Sequence, residues 1–189
     1  MFLCSLFIGG YMAFAEKIIG KYVDLRSIDE SDAEFSMNIR KDPEFTIFLP
    51  PINNTIEQQR EWIKRQMMEP GDYFWIMLDK NGNKMGTFGI YDVGTQEPKG
   101  RSLIAKGNPL QNIEMVYLVY KYALEVLHAD PIYGWVYADN TKAIRLNDYL
   151  GGIMSNPYES NGRMIKDVVF KNPEFSNAER RVRKMLYRE

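Results

Sequence analysis

The chain has 189 residues, 45% hydrophobic and 26% charged, with a formal net charge of −1. That length suits one full hydrophobic core and is short for two, so a single domain is expected. The near-neutral balance lacks the basic excess of a nucleic-acid or anionic-lipid surface, and neither partner is expected.

The opening "MFLCSLFIGGYMAFAEK" has an apolar run and an Ala-Phe-Ala that resembles a signal-cleavage site, but no Lys or Arg precedes the run, and it is too short to span a bilayer. Residues 1–19 are therefore read as an extension, with Met12 as an alternative start, ahead of one domain over 20–170 in a cytoplasmic protein. "KYVDLRSI" alternates as a strand should, and Ser31 with Glu34 has the spacing of a capping box opening a helix through Phe35 and Ile39. The three prolines of "RKDPEFTIFLPPINN" predict a loop. Thr55 and Gln58 form a second capping box, followed by a helix with Ile56, Trp62, Ile63 and Met67 on its apolar side.

"YFWIMLDKNGNKMGTFGIYDV" predicts a β-hairpin turning at Asn81-Gly82, with Gly86 and Gly89 leaving room for a close approach to the second strand. "GRSLIA" is a short strand, "NIEMVYLVYKYALEVL" has helical spacing, and "PIYGWVYA" is a buried strand. A strand–helix–strand order implies a right-handed crossover, with residues 101–105 parallel to 133–138. The tail over 171–189 is read as a short solvated helix.

Cys4 is the only cysteine and His128 the only histidine, so a disulfide framework and a two-histidine zinc site are both excluded, and no metal is expected. His128 is read as a helix-end residue. In an open α/β sheet a ligand binds beyond the C-terminal strand ends, where the helix starting near Asn112 would present amides to an anion. "AKGNPLQN" is the candidate loop: Gly107 and Asn108 tolerate positive φ, so the amides of residues 107, 108, 110, 111 and 112 could line a nest. A tight turn with a plain helix start is the alternative.

Tyr122-Ala123-Leu124, then "WVYADN", Ala143 following Asn140 and the Leu150-Gly151 stop together resemble the GCN5-related N-acetyltransferases (GNAT), over roughly residues 20–155. "LRSIDESDAEF", "IRKDPEF", "TIEQQREWI", "KMGTFGIYDV" and Glu114 are similar to the branch acting on ribosomal-protein N-termini and amino sugars. Gly100-Arg101 ahead of "SLIA" resembles enzymes for nucleotide-linked amino sugars.

The resemblance implies a mixed α/β (α+β) fold, with antiparallel N-terminal strands followed by a parallel βαβ unit whose strands splay. It implies acetyl-CoA as co-substrate: the pyrophosphate at Gly107, Asn108, Leu110, Gln111 and Asn112, and the remainder beside Leu103, Ile104, Ala105, Asn140, Ala143 and Asn147. Asn108 and Leu110 stand where the family loop has glycines, and Asn147 where it has the tyrosine that protonates the leaving thiolate. Tyr149, about 200° around the helix from Asn147, is read as packing. Asn147 and Tyr91 are the catalytic candidates, and Arg40, Tyr91, Glu97 and Arg101 the substrate candidates. The arginines are suited to a diphosphate, with surface ion pairs as the plainer reading.

The expected function is acetyl transfer to the primary amine of an amino sugar or nucleotide-linked amino sugar, by a monomer or homodimer. The alternatives are a protein N-terminal amine as acceptor, or an acyl-CoA-binding module of the same fold with impaired catalysis.

Overall fold

The computed structural model describes residues 17–49 and 52–189. Met12 and most of the expected extension lie outside that range, but the extension's last two residues are already structured as β1 (Ile18–Ile19). In β2 (Val23–Ser27) Val23 and Leu25 are wholly buried, while Asp24 and Arg26 turn to the opposite face. The predicted Ser31–Glu34 box is not what opens α1 (Ala33–Lys41). Asp29 supplies a carboxylate sooner: it accepts the Ser31 N–H at 2.8 Å, and Asp32 accepts the Asp29 N–H at 2.8 Å, closing a 3-10 turn ahead of the helix. The expected loop contains a one-turn helix, α2 (Pro43–Thr46), because Asp42 caps it and proline needs no amide partner in a first turn.

α3 (Ile56–Met68) opens on the predicted Thr55–Gln58 box, with contacts of 3.2 and 2.8 Å. Ile63 is wholly buried, whereas Ile56 is 43% exposed, because the packed face starts only at the buried Gln59. The hairpin forms from β3 (Tyr73–Asp79) and β4 (Lys84–Tyr91), and Gly82 at its turn has φ +85°. A Cβ on Gly86 would lie 2.3 Å from the Ile104 carbonyl oxygen, so that position requires glycine; one on Gly89 would lie 2.6 Å from the Tyr91 ring, which covers that glycine.

β5 (Lys99–Ala105), α4 (Pro109–Glu125) and β6 (Ile132–Tyr137) are the predicted crossover, with the helix starting at Pro109 rather than near Asn112. α5 (Thr141–Tyr149), β7 (Ile153–Met154), β8 (Tyr158–Ser160), β9 (Arg163–Phe170) and α6 (Asn172–Tyr187) complete the chain. Among the described residues, nine strands form one sheet in the order β1-β2-β3-β4-β5-β6-β9-β7, with β8 also on β9. Every pairing is antiparallel except β5 with β6.

The sheet separates two cores. Trp75, Met77, Phe88 and Ile90 pack on the α4 side; Phe74 and Ile76, one residue out of phase, pack with Ile28, Ala33 and Ile63 on the α1–α3 side. The C-terminal helix corrects the solvated-tail expectation: Phe175, Ala178, Val182 and Leu186 are all buried, so α6 is part of the main core. Its apolar residues recur at helical spacing between Arg and Lys side chains that stay at the surface. Among the described residues, no helix is long and apolar enough to cross a membrane.

Candidate functional site

β5 and β6 pair at one register position only, Lys99 with Tyr133, extended by the Tyr133 N–H donating to the Pro98 carbonyl at 2.8 Å. Beyond that point they diverge, and the cause is on the other side of β5. Thr87 and Gly89 of β4 oppose Ile104 and Arg101, so two steps of β4 face three of β5. Such a bulge bends the strand that carries the extra residue. β6 is meanwhile held straight on β9 along its length, from Ile132↔Phe170 to Tyr137↔Ile165.

The gap is a cavity of about 380 Å³. Phe88, Tyr120 and Val168 line it from the α4 side; Arg40, Phe48 and Leu49 reach it from the α1–α2 side, so the opening passes through the sheet. Gly100, Arg101 and Leu103 form one wall and residues 134–137 the other, with Asn140, Ala143 and Asn147 at the end. The strand edges facing the gap have no partner strand there, and buried backbone amides and carbonyls need one. The Lys106 N–H donates to Met85 at 2.8 Å; by alternation Ala105 turns its amide to the gap and Ile104 turns its own to β4. Ile104 is buried on β5 outside the cavity wall.

Asn140 is the corner between strand and helix. Its side-chain oxygen accepts the Ala143 N–H at 3.1 Å, capping α5 so that its first turn points at the gap. Tyr149 faces the other way, donating to the Arg181 carbonyl at 3.2 Å and contacting Met185, which bears out its reading as packing.

The loop before α4 does not adopt the expected nest. Gly107 is not among the positive-φ residues, and Asn108 is extended, at φ −68° and ψ 168°. Asn108 is instead the N-cap: its side chain accepts from Gln111 N–H at 3.1 Å, and the Gln111 side chain accepts from Asn108 N–H at 2.9 Å. Asn112 accepts the Gly107 N–H at 2.9 Å. Three amides meant for an anion are thus held by the loop's own side chains, because asparagine and glutamine outcompete a left-handed turn when a helix follows. Leu110 is half-buried against the main core.

Of the four residues expected to hold a substrate, Arg40 and Arg101 line the gap, and Glu97 and Tyr91 do not. Glu97 is exposed in the loop before β5. Tyr91 folds back over Gly89 and packs on Phe74, with ring centroids 6.3 Å apart, beside Arg40. Burial lowers the Arg40 guanidinium below its ordinary value, and the Tyr91 oxygen opposes the shift. Sequence reasoning missed a second cavity of about 220 Å³ on the α1–α3 side, lined by Ser36, Arg40, Ile52, Asn54, Gln59, Trp62, Phe74 and Thr87. No motif marks it, since its walls come from two helices, the loop between residues 52 and 54, and two strands, which no one stretch of sequence brings together. No carboxylate lines either cavity among the described residues. His128 sits past α4 with φ +54° and lines neither; no group of three metal-ligating side chains occurs among the described residues.

No curated protein matches the sequence. Many solved structures share the fold, among them three acetyltransferases. The nucleotide-linked sugar GNAT FdhC, in its apo form, is 19% identical, with TM-score 0.72, covering 94% of this chain and 98% of its own. A GCN5-related N-acetyltransferase from Brucella melitensis is 14% identical, with TM-score 0.72 and coverages of 95% and 90%. The spermidine N-acetyltransferase from Vibrio cholerae, in complex with CoA and spermine, is 16% identical, with TM-score 0.70 and coverages of 84% and 100%. The acetyltransferase (GNAT) domain model matches residues 23–152, from β2 to the stop of α5, and by that match this chain belongs to the GNAT acetyltransferase family.

Proposed function

We propose that the protein transfers an acetyl group from acetyl-CoA to the primary amine of an amino sugar or a nucleotide-linked amino sugar. The observation that carries this reading is the opening through the sheet between β5 and β6, which lets a donor on the α4 side meet an acceptor on the α1–α2 side. Its fit to a pantetheine arm rests on the strand edges that face the gap and on Leu103, Asn140, Ala143 and Asn147 at its walls; Ala105 lies outside those walls. A diphosphate at Gly107–Asn112 would take over amides now held by Asn108, Gln111 and Asn112.

When bound, acetyl-CoA supplies a thioester whose leaving thiol has a pKa near 8.5, so the thiolate departs with little help from an acid. Asn147, the wall residue nearest in role, offers an amide hydrogen bond rather than a proton. Tyr91, outside the wall, is assigned no acid role. With no carboxylate in either cavity, the proton of an amine of pKa about 8 leaves to water. Most of the rate then comes from alignment of amine and carbonyl, with β5 amides polarising the carbonyl oxygen.

The test has two steps. Acetyl-CoA at a hundredfold excess over Kd should raise Tm by about 5–10 °C, and free thiol should then be released with amino-sugar acceptors. No stabilisation at saturation overturns the proposal. A second reading, binding without turnover, is favoured by the amide of Asn147 at the leaving-group end; stabilisation with no thiol release from any amine would establish it.

A further inference from the structure

Tyr120 reaches the opening from α4 with its ring held on two sides. Phe170 stacks on it with centroids 3.9 Å apart, and Phe88 meets it edge to face at 5.3 Å, which fixes the ring. Its hydroxyl lies over Gly100, one residue beyond the Lys99–Tyr133 pair that closes the gap; a Cβ on that glycine would stand 3.2 Å from it. Glycine leaves the hydroxyl uncovered there, and Gly134 on the opposite wall adds no side chain either.

The residue is only 6% exposed, yet among the described residues no group hydrogen-bonds to its hydroxyl. One turn earlier on the same helix the Tyr117 hydroxyl has a partner, Glu179, at 2.7 Å. A buried hydroxyl without a partner is destabilising, and one that persists at a cavity wall marks a place for an acceptor atom on a ligand. Burial alone pushes the Tyr120 hydroxyl above the usual phenol range, so it stays protonated and donates.

The side of the sheet decides which ligand atom it meets. Of the three side chains that line the opening from the α4 side, Phe88 and Val168 carry no polar atom. On the acetyltransferase reading the amine arrives from the α1–α2 side. As its nitrogen bonds to the acyl carbon, the carbonyl π pair moves onto oxygen, and that oxygen bends away from the nucleophile, toward α4. Charge thus develops on the side where Tyr120 holds a fixed donor, which is where a donor lowers a barrier.

We propose, resting on that reading, that Tyr120 is a catalytic residue: its hydroxyl donates to the acyl carbonyl oxygen, more strongly as that oxygen becomes an oxyanion, alongside the β5 amides. The phenol transfers no proton. When the oxygen's pair re-forms the double bond, the carbon–sulfur bond breaks, the thiolate leaves and the amine's proton goes to water.

The test uses the full chain with Tyr120→Phe, which removes only the hydroxyl, and Tyr149→Phe, which removes a hydroxyl bonded to the Arg181 carbonyl outside the opening. Without ligand, Y120F should melt no lower than wild type, because no bond within the protein is lost, whereas Y149F should lose about 1–5 °C. In Y120F kcat for thiol release should fall by about a hundredfold. Calorimetry should find its Kd for acetyl-CoA within about threefold of wild type, and Y149F should keep the wild-type kcat. In infrared spectra of bound acetyl-CoA labelled at the carbonyl carbon, the carbonyl stretch should lie lower in wild type than in Y120F. A Y120F kcat within about threefold of wild type overturns the proposal. So does an identical carbonyl stretch in the two proteins, or a loss carried by Kd alone. A Y120F melting point lowered as far as that of Y149F overturns it by showing a structural partner for the hydroxyl. No thiol release by wild type from any amine, with the stretch difference present, overturns only the transferase reading.

Discussion

The carboxylate of Glu114, wholly buried in α4, accepts the backbone amide of Tyr22 at 2.6 Å across 92 residues of chain. It also takes the amides of Lys21 and Val23, at 2.8 and 2.9 Å, so one side chain collects the polar groups of the turn between β1 and β2. The Tyr187 hydroxyl is pushed up from its usual range, by burial first and by the Glu114 charge second. A carboxylate that satisfies three amides cannot be truncated without orphaning them. Glu114→Ala should therefore cost about 3–5 kcal/mol in denaturant melts, and Glu114→Gln about 1–3 kcal/mol. A neutral Glu114→Ala result would show that the turn finds other partners.

Asp32, also wholly buried, accepts from both terminal guanidinium nitrogens of Arg26 at 2.7 Å and pairs with Lys84 at 2.6 Å. Burial works against its charge, but the hydrogen bonds from Arg26 and Lys84 win and hold it below the usual carboxylate range. A depressed folded-state pKa means that this stability is fully present above the unfolded value of about 3.9 and is lost as pH falls through the folded value. Denaturation midpoints should decline below about pH 4, and Asp32→Asn should flatten that decline while costing about 3–5 kcal/mol at pH 7. An unchanged acid limb in the variant would rule out Asp32 as its source.

Leu186 is wholly buried in α6, and Lys21 Nζ and the Tyr22 hydroxyl both donate to its carbonyl, at 3.0 and 3.1 Å. The same helix is tied to α4 by Glu179, which accepts from the Tyr117 hydroxyl at 2.7 Å and from Lys121 at 2.8 Å; burial and Glu179 push Tyr117 up to about 12. Leu186→Ala should destabilise by about 2–5 kcal/mol, as for a core leucine. A change under about 0.5 kcal/mol would restore the solvated-tail reading.

Gln111 occupies the Asn108 amide, so a ligand phosphate at that helix start competes with it. Gln111→Ala should tighten acetyl-CoA by about two- to fivefold, corresponding to about 0.5–1 kcal/mol for one hydrogen bond no longer exchanged. Weaker binding in calorimetry would mean that the side chain contacts the donor instead.

Asn147→Tyr installs a phenol at the end of the gap. Because the leaving thiolate is only about 1.5 units from neutral pH, kcat should rise by no more than a few tens-fold. A thousandfold gain in thiol release would show that protonation, and not alignment, limits the wild-type chain.

Local chemistry made much of this molecule legible. Thr55 with Gln58, the Asn81-Gly82 turn, the apolar runs of β3 and β4 and the strand–helix–strand order around α4 are encoded within a few residues, where propensity and period act directly. Caps were less secure: Asp29 displaced Ser31, and Asn108 preferred a helix cap to an anion nest, since several short polar side chains compete for the same amides. The burial of α6, the bulge that turns β5 away from β6, and the gathering of Arg40 with residues of β5, β6 and α5 around one cavity belong to the tertiary structure alone. Each depends on which surface is presented across the sheet, and no window of sequence contains both partners.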